Sequence, residues 1–347
     1  MNRRLWLFLA LTVGGTFLIL GFFGREVYRQ APPLPNAVVA DGKVLFTQDD
    51  ILTGQQVYQS IGGQQVGTVW GHGAYVAPDW SADQLHREIT GLLDLWAQRD
   101  SQTSYADLEP EHQAALRERV KRTMRTNTYT AADGQVTVSA DRAAVMAQVA
   151  GHYDALFGES TDPAIIKLRD AYALQDRAIP DATRRTQLTA FFWWTSWSCG
   201  TERPGNSITY TNNWPHEPLI GNVPSSANLL WSLISVVVLI AAIGGLVYWQ
   251  SHNQDNEVLT APPQDPLDGF VATPSMKATV VYGAVVIGLF LLQIVFGIIT
   301  AHYGVEGRGF YGFNLSEWLP YAVTRTWHIQ LGIFWICLLY TSDAADE

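Results

Sequence analysis

Cysteine is almost missing from this chain. The two present, Cys199 and Cys337, stand far apart among 347 residues, so no disulfide framework, CxxC zinc site or CxxCH attachment motif for a c-type haem can be written. Basic charge is scarce as well. The chain has 22 Lys and Arg against 32 Asp and Glu, a formal net charge of −10, and no basic patch for nucleic acid. Repeats and low-complexity tracts are also lacking. What the chain has in quantity is long uncharged runs. Residues 5–23 and 229–249 carry no charge, residues 278–301 hold only Gln293 as a strongly polar side chain, and residues 321–340 are interrupted by Arg325 and His328. About 20 residues take a helix across the hydrocarbon core, so all four runs are long enough.

The expected fold class is therefore mixed: an α-helical transmembrane bundle, four helices of it in this chain, carrying one large soluble domain. The boundaries fall at 1–25 for an N-terminal anchor, 26–226 for the soluble domain, 227–250, 278–301 and 321–340 for three further spans, and 251–277 and 302–320 for their loops. Arg3 and Arg4 raise a cleavable signal peptide, but the apolar run exceeds the usual h-region of roughly 7–15 residues and no A-x-A site follows, which favours a retained anchor. Lys and Arg do not separate across the spans well enough for the positive-inside rule to set orientation.

Within the soluble domain, APPLPN reads as a linker and FTQDDILTGQQVYQS as a helix capped by Thr47 or Asp49. Apolar residues three and four apart (Leu85, Ile89, Leu92, Leu93, Trp96) predict two amphipathic helices between 81 and 125. NTYTAADGQVTVS predicts a hairpin at Asp133-Gly134, and helices resume over 141–157 and 162–177. Trp193, Trp194, Trp197 and Trp214 then crowd one stretch before the second run. They read as a membrane-interface belt plus domain core; a stacking platform for bases or sugars would want basic or paired acidic company.

Eight histidines carry the remaining chemistry. His72, between glycines, reads as a hydrogen-bonded structural ring. Asp79, Asp83, His86 and Glu88 are a tempting metal group without a coordinating spacing. His328 differs, lying about 10 Å into its run at roughly 1.5 Å per residue. An ionisable residue there is a functional candidate by default. Ligation, proton relay and a helix-packing hydrogen bond all remain open. Arg325, one turn earlier on the same side, suits either haem propionates beside an iron-bound imidazole or snorkelling to headgroups. His302 closes the third run with Glu306 four residues on, a base and an acid able to accept protons from a lipid-soluble reductant.

Three long motifs, WGHGAYVAPDWSADQLHRE, TERPGNSITYTNNWPHEPLIGN and HYGVEGRGFYGFNLSEWLPYAVTRTWHIQLGIFWI, occur in this order. In them the chain resembles the N-terminal half of the quinol-dependent nitric oxide reductases, single-chain bacterial members of the haem–copper oxidase superfamily. The resemblance implies that residues 26–226 are a periplasmic, cytochrome c-like domain without haem c, in agreement with the missing CxxCH, on a multi-pass protein of the inner membrane. It implies reduction of two NO to N2O and water with electrons from ubiquinol or menaquinol. His328 matches the axial ligand of the low-spin haem b, with Arg325 at a propionate, and His302 and Glu306 match the quinol headgroup region. Haem b3 and a non-haem iron would lie in residues beyond this chain, with room for a calcium ion and for a homodimer. The chain then reads as the N-terminal part of a longer enzyme, lacking its catalytic centre, with residues 337–347 a non-native tail. The alternative is a membrane-anchored sensor or assembly module whose periplasmic domain binds a partner. The intramembrane His328 and the HYGVEG loop favour the enzyme.

Overall fold

The computed structural model describes residues 3–73, 76–223, 225–253, 263–265, 268–307, 312–313 and 315–343. Helix α1 (Arg3–Arg29) is followed by the expected linker and then by strands β1 (Ala37–Ala40) and β2 (Lys43–Thr47), which sequence patterning does not predict. Asp41 and Gly42 join them with φ of 48° and 75°, a two-residue left-handed turn that matches the twist of paired strands. An Asp-Gly pair between alternating apolar residues is the signal that could have found it. The hairpin expected at Asp133-Gly134 forms from β3 (Tyr129–Thr130) and β4 (Gln135–Thr137), and β4 pairs in parallel with β1 to give the sheet order β2-β1-β4-β3.

Helix α2 (Gln48–Ser60) begins at Thr47 with a reciprocal cap: Thr47 Oγ1 accepts from the Asp50 backbone N–H at 3.3 Å while Asp50 Oδ2 accepts from that of Thr47 at 2.9 Å. The two amphipathic helices appear as α3 (Trp80–Ser101) and α4 (Pro110–Arg125), followed by α5 (Ala140–Phe157). Helix α6 (Pro163–Ala171) stops short of residue 177 because Ala173 and Arg177 take φ of 50° and 54°, outside helical geometry.

The centre of the domain is α7 (Ala182–Gly200), which packs on α2, α3 and α5. Its Trp193 and Trp197 are buried, Trp194 is half-buried with Nε1 donating to the Pro33 carbonyl at 3.0 Å, and Trp214 packs on the core's edge. Trp193 and Trp197 are thus domain core and Trp194 and Trp214 pack at its edge, in line with the core half of their reading. Trp80 stacks on Phe192 at 5.3 Å and 14°, with Tyr153 and Phe157 edge-on.

The acidic group near α3 disperses onto separate partners. Asp79 caps α3 and also accepts from the Gly71 N–H and the Thr68 hydroxyl; Asp83 pairs with Arg87 at 2.7 Å; His86 meets Glu217 at 2.8 Å; Glu88 pairs with Arg142. Burial raises the Asp79 pKa above the usual carboxylate range, and those hydrogen bonds oppose it. His72 Nδ1 donates to the Val69 carbonyl at 2.8 Å, the structural role expected of it.

Among the described residues three helices are long and apolar enough to cross a bilayer: Trp6–Arg29 of α1, Leu229–His252 of α8 (Ser226–Asn253), and α9 (Pro274–Glu306). Their apolar side chains are exposed, as lipid-facing residues must be, and the chain is a membrane protein. Helix α10 (Tyr321–Asp343) carries Arg325 and His328 in its first half and falls short of the same measure, so this criterion gives three spans where four were expected. Helix α9 runs past His302 to Glu306, so its loop starts at Gly307. Its 33 residues extend about 50 Å against a hydrocarbon core of about 30 Å, and its ends must project. Of the expected tail, residues up to Asp343 prolong α10, and 344–347 lie outside the described residues, as do 254–262 and 266–267 of the expected cytoplasmic loop and 308–311 and 314 of the periplasmic one.

Candidate functional site

Helices α9 and α10 form an antiparallel pair, and the one strongly polar residue of the third run holds it together. Gln293 Oε1 accepts from the Trp335 indole N–H at 2.5 Å, while the Gln293 backbone carbonyl takes His328 Nδ1 at 2.9 Å. A carbonyl can only accept, so Nδ1 is the donor and Nε2 is the nitrogen left to face a ligand. The ring is close against Gly297, where a Cβ would come within 2.8 Å of His328 Cε1. Glycine is required there for the imidazole to occupy its place.

Beside the ring is a cavity of about 520 Å³ walled by Gly297, Ala301 and Gly304 of α9 and by Tyr321, Arg325 and His328 of α10. The small residues recur four and three apart, a stripe that lets two membrane helices approach or leaves room between them. Neither this stripe, although its spacing is visible, nor the role of Gln293 emerges from sequence patterning. Arg325 Nη1 donates to the Tyr321 hydroxyl at 3.3 Å, which sets the guanidinium one turn from His328 on the cavity's wall.

His302 and Glu306 also meet: Nδ1 and Oε1 are 3.4 Å apart in the last turn of α9, with His302 half-buried and Glu306 exposed. At about 100° per residue, however, His302 lies about 140° and Glu306 about 180° around the helix from Gly297. The structure brings His302 to Glu306, and His328 to Arg325, on opposite sides of α9.

The soluble domain grips this pair at one end. Tyr303, fully buried, packs edge-on against Tyr321 at 5.9 Å and donates to the Leu319 carbonyl at 2.5 Å; Ala173 of the domain completes the cluster. Gln175 Nε2 donates to the Ser316 carbonyl at 2.8 Å, and Gly307 sits so close to the Asp170 carbonyl that a Cβ would be 1.8 Å from it.

What the groove offers is an imidazole held through Nδ1 with Nε2 left for a ligand, a wall on α9 of small residues (Gly297, Thr300, Ala301 and Gly304) and a cation one turn away. These fit one face of a haem: an axial nitrogen oriented by a backbone carbonyl, space against small residues, and a guanidinium for a propionate. Among the described residues no three His, Cys, Asp or Glu gather as a metal cluster.

In the soluble domain the signature is of a different kind. Arg125 of α4 is buried at the base of the TERPGNSITYTNNWPHEPLIGN segment, pairing with Glu202 at 2.7 Å and donating to Asn222 Oδ1 at 2.8 Å and to the Ser207 carbonyl at 2.7 Å. One guanidinium thereby ties together a segment whose regular structure is confined to one 3-10 turn, Pro218–Ile220, and two isolated bridges, Glu202 with Thr209 and Glu217 with Asn222. No curated protein matches the chain. Residues 35–216, which run from the linker through the sheet and α2 to α7 into that loop, match the family model of the NorB cytochrome c-like domain of nitric oxide reductase. This match covers more than half of the chain, which belongs to the NorB family of nitric oxide reductases through its cytochrome c-like domain.

Proposed function

We propose that the chain is the quinol-oxidising, haem b-holding part of a nitric oxide reductase, with α10 as a fourth span and the cytochrome c-like domain in the periplasm. The observation that carries this reading is His328, whose Nε2 is left available beside a cavity walled by small residues and Arg325. His328 would hold the iron of a low-spin haem b and Arg325 would meet a propionate. A haem b bound there supplies a one-electron acceptor within the membrane. The absence of CxxCH favours quinol over a covalently attached haem c as the source of electrons.

Oxidation of one quinol releases two electrons and two protons. At the projecting end of α9, His302 and Glu306 are placed to take the protons: a neutral imidazole accepts one, and the carboxylate passes the other to water. Their position across α9 from the groove means quinol would approach from the opposite face to the haem. Reduction of two NO to N2O and water, at a haem b3 and a non-haem iron, falls in this reading to polypeptide outside these residues.

Two substitutions test it in the membrane-embedded enzyme. His328→Ala is expected to remove the low-spin haem b absorption and all quinol-driven turnover. Retention of that spectrum would sink the ligand assignment. His302→Ala or Glu306→Ala is expected to keep the haem spectra but slow quinol-driven NO reduction by about 100-fold, with artificial one-electron donors little affected. Equal slowing with both kinds of donor would dismiss the quinol role.

A further inference from the structure

Two destinations compete for the Arg325 guanidinium: the headgroup region, and the cavity that Arg325 walls together with His328. A side chain on a helix leans back toward the N-terminus, so Arg325 reaches over the turn that Tyr321 begins. There its Nη1 donates to the Tyr321 hydroxyl at 3.3 Å. That hydroxyl can fix a long flexible side chain only if it is itself fixed.

Tyr321 is held from two sides. It is 2% exposed, its ring meets that of Tyr303 at 89°, and Ala173 of the soluble domain completes the cluster. One residue on, the domain closes against the same turn: a Cβ on Gly62 would lie 2.7 Å from the Ala322 Cβ. Tyr321 also borders a second cavity, of about 380 Å³, on the domain side of α10. Gln59, Gly62 and Leu174 of the domain line it with Thr326 and Trp327 of α10. Tyr321 is thus common to the lining of both cavities, and its hydroxyl is engaged with the cation that walls the larger one.

We infer that Tyr321 is a positioning residue, whose hydroxyl keeps the Arg325 guanidinium on the cavity wall for a haem propionate. The inference rests on the proposal that His328 and Arg325 face a haem b. A cation held beside a haem favours its reduced form, and one released to headgroups or water is screened and favours it less. Redox titration of the low-spin haem b absorption in the membrane-embedded enzyme supplies the test. Tyr321→Phe keeps a ring against Tyr303 and removes only the acceptor. It is expected to retain the absorption and the thermal unfolding, while the one-electron equilibrium moves about threefold toward the oxidised haem, a fall of about 30 mV. Arg325→Ala is expected to move it about tenfold, or about 59 mV. Adding Tyr321→Phe to Arg325→Ala is expected to change nothing more, because a residue that acts through Arg325 has nothing left to position. An equal fall from Tyr321→Phe with and without Arg325 would mean that it acts by packing, and would overturn the inference. So would loss of the absorption in Tyr321→Phe, or an unmoved midpoint there beside a shifted one in Arg325→Ala. If Arg325→Ala itself leaves the midpoint in place, the propionate assignment falls and takes the inference with it.

Discussion

The soluble domain and the α9–α10 pair use the same residue types in opposite senses. In the domain, Leu85, Ile89, Leu92 and Phe192 are fully buried, and the few charges that follow them inside, such as Arg142, Glu88, Arg125 and Arg169, are held by ion pairs or backbone carbonyls. In the pair, Ile294, Val295, Ile298, Ile333 and Phe334 point outward, while Gln293 turns to meet His328 and Trp335. A polar group is turned inward in both, but its alternative differs. In the domain the unfolded alternative is full hydration, so a partner lost inside water-soluble protein is felt strongly. In lipid the separated helices also find partners for their polar groups, so each hydrogen bond counts for less.

The largest effect tests the first half of that contrast. Arg142→Ala leaves Glu88, at 0% exposure, as an unpaired buried carboxylate, and is expected to cost about 3–5 kcal/mol in chemical denaturation. Replacing both partners together, Arg142→Met with Glu88→Leu, is expected to recover most of it, because the desolvation penalty leaves with the pair. A single-variant cost within about 0.5 kcal/mol, the range of surface substitutions, would break the comparison.

The middle effect tests the second half. Gln293→Leu removes the acceptor of the Trp335 indole but leaves the backbone carbonyl that orients His328. The expected cost is about 0.6 kcal/mol and at most about 1.7 kcal/mol, read by denaturing-detergent titration. The His328 tautomer is expected to persist, observed as an unchanged imidazole 15N signature. A loss as large as that of Arg142→Ala would mean the bilayer does not discount polar contacts here.

The two regions are also unequally legible. Periodicity exposes α3, α4 and α5, because an apolar face three and four apart is a local property of the chain. It fails for α7, where Leu188 to Gly200 is buried almost all round and so shows no polar face to mark the period. The β1–β2 hairpin escapes it because its strands are short and β1 draws support from β4, nearly a hundred residues on. At the candidate site, His328 and Arg325 stand out as polar groups in an apolar run, His302 and Glu306 as a polar pair just past the end of another, and the spacing within each pair is legible. Where the two pairs sit relative to each other is not: which side of α9 faces α10 is set by Gln293, Gly297 and Gly304, residues that look ordinary until the helices are paired.

The smallest expected effect concerns His152, at the margin of the domain core. Its Nε2 is buried without a partner, and its pKa falls below the ordinary 6.5, first through burial and then through the Arg87 cation, with Asp83 opposing. The folded state thus prefers the neutral ring, whereas the unfolded chain takes up a proton near pH 6.5. The stability this preference contributes is fully present above about pH 6.5 and is lost as pH falls through the lower, folded-state pKa. Because the ring is part-exposed, solvent screening holds the effect well under about 1 kcal/mol. Two carboxylates titrate in the acid range but do not confuse the measurement. Asp141, its pKa lowered by hydrogen bonds from Arg99 and Trp96, loses its contribution only below the ordinary carboxylate range. Asp79, raised by burial, acts with the opposite sign and equally in both proteins compared. Urea midpoints taken at about pH 8 and about pH 5.5 are expected to fall further in the wild type than in His152→Gln, which cannot take up the proton. If the two fall in parallel, the ring is solvated in both states, and the edge of the core is wetter than its packing implies.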